Sequence, residues 1–116
     1  MHLTGFLSEN EYQSLIKSVD IVIVFTTLEF VLNCGAYEGV SLGKPLILSN
    51  TKTIIDYFSK GVIHTALDAR AIQEAILNAQ LNYSVLKNEI KTHKIDLSSD
   101  WNLRFSRLEN LIENLI

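Results

Sequence analysis

Two apolar runs, Asp20-Ile21-Val22-Ile23-Val24-Phe25 and Gly43-Lys44-Pro45-Leu46-Ile47-Leu48-Ser49, constrain this chain more than any other feature. Each is short, rich in Ile, Val and Leu, and bounded by polar or turn-forming residues. Each therefore reads as a strand covered on both faces. Between them, residues 35–42 have helical spacing and stop at Gly43-Lys44-Pro45. A strand, a helix and a second strand in that order make a parallel pair joined by a right-handed crossover.

The alternation extends both ways. Residues 2–4 read as the end of a short strand closed by Gly5. Ser8-Glu9-Asn10-Glu11 is a capping box that starts a helix with Tyr12, Leu15, Ile16 and Val19 on one side. Residues 53–59 form a short helix closed by Gly61, and residues 62–64 a weaker strand. Asp68 caps a helix running through Ala79, with Ile72, Ala75, Ile76 and Ala79 facing the core. A polar region, 87–94, follows, where the helix continues or breaks. A last helix begins at Ser98 or Ser99, and its Trp101, Phe105, Leu108, Ile112 and Leu115 form one apolar stripe. That stripe reads as a face packed on the sheet, with length left for a subunit contact. The expected fold is α/β: one partial Rossmann-like domain with about four parallel strands flanked by helices.

At 116 residues and 47% hydrophobic, the chain can bury a modest core. A net charge of −3 argues against nucleic acid as a partner, since that binding feeds on clustered Lys and Arg. The single Cys34 excludes an internal disulfide and points to a reducing, cytoplasmic compartment. The first residues have no signal-peptide pattern, and no apolar run has bilayer-spanning length. His2, His64 and His93 show no metal-ligand spacing, so no metal is expected.

In an open parallel sheet, ligands bind beyond the carboxyl ends of the strands. Those ends carry Gly5-Phe6-Leu7, Thr26-Thr27 and Ser49-Asn50-Thr51, on the same edge as the segment from Glu29 to Glu38. A phosphate can approach a glycine-bearing helix start, and a carboxylate one turn inside can accept hydrogen bonds from a sugar diol. Each residue also has a structural reading. Glu38 suits the first helical turn, where acidic groups complement the macrodipole. Glu29 is equally a solvated loop charge, Gly35 a packing glycine and Asn33 an N-cap. Cys34 reads as a small buried residue, and Lys44 as a helix-terminus lysine.

The ordered series G-F-L-S, D-I-V-I-V, the two glutamates and G-K-P-L-I-L-S resembles the C-terminal domain of GT-B glycosyltransferases, family 4 or group 1. The resemblance spans residues 3–112 and is carried best by Glu38-Gly39-Val40-Ser41-Leu42-Gly43-Lys44-Pro45. It implies a nucleotide-sugar donor as substrate, with no further cofactor, and transfer to an acceptor with retention. It implies that Glu38 binds the ribose hydroxyls and that Cys34, Gly35 and Ala36 present N–H groups to the diphosphate, beside Asn33. Phe6 or Leu7 would flank the nucleobase, and Glu29 would approach the transferred hexose as the catalytic glutamate. The glutamates stand one residue further apart than is usual in the family, which bears most on Glu29.

The resemblance further implies that the chain is the later part of a donor-binding domain, inactive alone and short of an N-terminal acceptor domain. A polysaccharide-building enzyme at the inner face of a membrane fits that reading. The expected consequence is a homodimer formed through the C-terminal helix or a bare sheet edge. Two other enzyme or switch classes compete. A nucleotide-sugar epimerase shares the scaffold. A response-regulator receiver shares the Lys-Pro pair but needs acidic residues that are missing here, with Thr26 where it needs aspartate. A non-catalytic interaction module is the remaining alternative.

Overall fold

The computed structural model describes residues 2–115. Ser8 starts the first helix as the capping pattern predicts. Its hydroxyl accepts the Glu11 N–H at 3.3 Å and donates to the Glu11 carboxylate at 2.8 Å, opening α1 (Glu9–Ser18). The chain then forms β1 (Val22–Val24), α2 (Cys34–Ser41), β2 (Leu46–Ser49), α3 (Lys52–Tyr57) and β3 (Val62–Thr65). Two helices complete it: α4 (Ala69–Leu81), capped by Asp68 through the Ala71 N–H at 2.9 Å, and α5 (Tyr83–Leu115).

Among the described residues the strands make one parallel sheet in the order β1-β2-β3. Val22 pairs with Leu46, and Leu46 in turn with Val62. This is an α/β architecture compatible with part of a Rossmann-like fold. The expected strand at residues 2–4 is absent, giving three strands rather than about four. That segment finds no neighbouring strand: Leu3 and Phe6 are exposed, and Gly5 turns the chain at φ 65°.

The expected coverage of β1 on both faces also fails: α4 packs on β3 and β2, and Ile23 of β1 is 45% exposed. The central strand β2 meets the expectation, with all four residues buried. One sheet face carries Val22, Leu46 and Leu48 against Ala36, Val40, Ile54, Phe58 and Ile90. The other packs Ile47 against Ala75 and Ala79 of α4 and Leu86 of α5. Of the four α4 residues expected to face the core, Ile76 remains 37% exposed.

The helix α5 departs furthest from expectation. Residues 83–115 form one continuous helix, and Leu86, Ile90 and His93 hold its first half on the body. Among the described residues its second half finds no packing partner in the body: Trp101, Phe105, Leu108, Ile112 and Leu115 are all exposed rather than laid on the sheet. The molecule is accordingly elongated, 56 × 32 × 29 Å.

Candidate functional site

The carboxyl edge of the sheet gathers the segment that the sequence singles out. After β1, the Thr26 N–H donates to Ser49 Oγ at 2.7 Å, which ties the exits of β1 and β2 together. The chain then loops outward, with Phe30 exposed at φ 62°, and returns to start α2. Asn33 holds the N-cap position without a side-chain cap bond, and its Oδ1 is buried without a partner. Its carbonyl accepts the N–H groups of Ala36 at 3.1 Å and Tyr37 at 3.4 Å. Cys34 and Gly35 are thus the amides of this turn that α2 itself does not use.

The glycines of α2 have steric work. A Cβ on Gly35 would lie 3.0 Å from Val24 Cγ2, and one on Gly39 would lie 2.4 Å from Leu46 Cδ2. Both let α2 lie close on β1 and β2, so packing alone accounts for them. Ala36 is buried in the same contact. Cys34 is exposed, which corrects the expectation of a buried thiol. A position at the helix start, facing away from the sheet, leaves its side chain in solvent.

Glu38 sits one turn inside α2 and faces α1 rather than the core. Its Oε2 accepts the Tyr12 hydroxyl at 2.5 Å. That hydrogen bond to the carboxylate, with some burial, raises the Tyr12 pKa above its ordinary value. The pair lies in an open groove of about 470 Å³ between α1 and α2, lined also by Glu9, Gln13, Lys17 and Ser41. The groove sets carboxylates, a phenol, an amide, an ammonium and a hydroxyl beside the apolar Ile16 and Leu42, a mixed lining that offers a ligand's hydroxyls hydrogen-bond partners. The sequence gives no sign of this partner for Glu38. Tyr12 reads there only as one of four residues on one side of the first helix, and the two lie 26 positions apart.

Glu29 lies elsewhere on the edge. Its Oε1 accepts the Thr53 N–H at 2.9 Å and the Thr53 hydroxyl at 3.0 Å. Glu29 thereby caps α3, a task that Thr51 at the N-cap position leaves undone. The Thr53 amide holds its carboxyl below the usual range. Phe6 is fully exposed and Leu7 half-buried, both ahead of α1, and neither lines the groove. Lys44 donates to the carbonyl of Lys17 at 2.9 Å, closing the end of α1, and Lys94 does the same for Ser41 of α2 at 2.7 Å.

Among the described residues no group of three His, Cys, Asp or Glu side chains could hold a metal ion, and no helix is long and apolar enough to cross a membrane. Comparison with protein-family models, with curated proteins and with solved structures gives no match to this chain.

Proposed function

We propose that this chain is the donor-binding part of a retaining glycosyltransferase of the GT-B type, and that a nucleotide sugar docks at the amino end of α2. The observation that carries this reading is the position of Glu38. It stands one turn inside a helix that starts at the carboxyl edge of a parallel sheet, and it lines an open groove of mixed polar and apolar character. In the proposed complex a ribose diol approaches Glu38, with Tyr12 holding Oε2 and orienting the carboxylate. The diphosphate meets the Cys34 and Gly35 N–H groups at the positive end of the helix dipole. Glu29 would reach the hexose only by leaving the Thr53 N–H and hydroxyl.

A non-catalytic interaction module is the second reading. The steric fit of Gly35 and Gly39 and the capping bond of Glu29 favour it, since they explain those residues without a ligand. Calorimetric titration with UDP, GDP and ADP separates the two. Donor binding requires at least one nucleotide to bind, with Glu38→Ala weakening it about tenfold through the lost hydrogen bonds to the diol. An interaction module binds none of the three, and equal affinity in the Glu38→Ala variant would leave that carboxylate to its contact with Tyr12.

A further inference from the structure

One side of α5 runs without a break from the body into solvent. Leu86, Ile90, His93 and Leu97 recur on that side and hold it to the body, Leu86 in the cluster with Ile47, and Ile90 and Leu97 in the cluster with Leu46. Trp101, Phe105, Leu108, Ile112 and Leu115 continue it at the same helical spacing, 65%, 46%, 51%, 50% and 86% exposed. An apolar stripe on an isolated segment of this length is marginal in water, because helical stability in proteins comes mostly from packing such a face.

We infer that the stripe pairs with the same stripe of a second copy of this chain, in antiparallel orientation. Area supports that occupant. At these exposures the five side chains offer about 500 Å² of surface per copy. A standard interface takes about 800 Å² from each partner, a little over half of it apolar. The spacing supports it too, since steps of four and three residues repeat from Trp101 to Leu115 as in a coiled-coil seam. The direction follows from the body. Each body sits on the side of α5 that would do the pairing, so parallel helices would drive the two bodies into one space. Antiparallel helices carry them to opposite ends. Phe105 and Leu108 of each copy then meet about the two-fold axis, and Trp101 of one lies against Ile112 of the other.

Sedimentation of the full chain across a concentration series tests the pairing. The expected mass at high concentration is twice the 13.1 kDa of the chain. Phe105→Glu with Ile112→Glu should weaken dimerisation at least about 100-fold, while the backbone amide resonances of β1, β2 and β3 keep their folded dispersion. A wild-type chain that stays monomeric overturns the inference, as does a dimer that the double variant leaves intact. Orientation is read from Ile112→Cys in a Cys34→Ser background. Antiparallel pairing holds the two thiols about 16 Å apart along the axis, beyond disulfide reach. Ready oxidation to a covalent dimer would overturn the antiparallel arrangement.

Discussion

At Gly61 the backbone has φ 71°, and a Cβ would lie 2.6 Å from the Ile90 N and Cβ atoms of α5. The neighbour is helix backbone, so nothing can swing aside. Gly61→Ala is expected to destabilise the chain by about 2–4 kcal/mol, combining left-handed strain with overpacking. Gly43 has φ 70° with nothing within 4 Å, so Gly43→Ala should cost only about 1–2 kcal/mol. Urea unfolding of both variants checks the difference, and equal losses would refute the steric account. His93 carries a second residue-scale expectation. Burial lowers its pKa and that of His64, and each leaves Nε2 buried without a partner. For His93, Lys60 adds to the effect and Asp96 opposes it. The unfolded chain therefore holds more protons than the folded one below about pH 6.5, and stability should fall as pH drops through that value toward the folded pKa values. The urea midpoint should be lower at pH 5.5 than at pH 7.5, and His93→Phe should flatten the difference. A midpoint that rises on acidification across that range would contradict the burial argument.

The elements divide by whether local chemistry or distant contact decides them. Ser8 and Asp68 announce α1 and α4 because their capping bonds fall within three residues. Asp68→Ala is expected to cost about 1 kcal/mol, read as a lower urea midpoint with the slope unchanged. The strand β2 was legible from composition, since its buried Leu46-Ile47-Leu48 run is wholly apolar and its one polar residue, Ser49, closes it with a hydrogen bond from Thr26. The missing strand at residues 2–4 was not, because a few extended residues look alike with and without a neighbour. The unbroken course of α5 was hidden by Lys87, Asn88, Glu89, Lys91 and Lys94, which surround the buried Ile90 and His93 with charge and amide. For the candidate site, the start of α2 after β1 was legible in the sequence. The sequence could not place Tyr12 against Glu38 or Glu29 on Thr53, because those contacts join residues 26 and 24 positions apart.

On the scale of the whole molecule, two surfaces stand apart from the packed body. The groove between α1 and α2 brings Glu38 and Tyr12 to solvent, and the outer half of α5 carries an apolar stripe that the body does not cover. These surfaces make separable claims, since nucleotide binding does not depend on the oligomeric state proposed for α5. The groove can be tested directly in the folded chain by following backbone amide resonances during titration with UDP, GDP and ADP. Donor binding predicts that one of these nucleotides shifts the amides of Cys34, Gly35, Glu38 and Tyr12 most, in a saturable way. No saturable shift with any of the three, or shifts confined to α4 and α5, would contradict it.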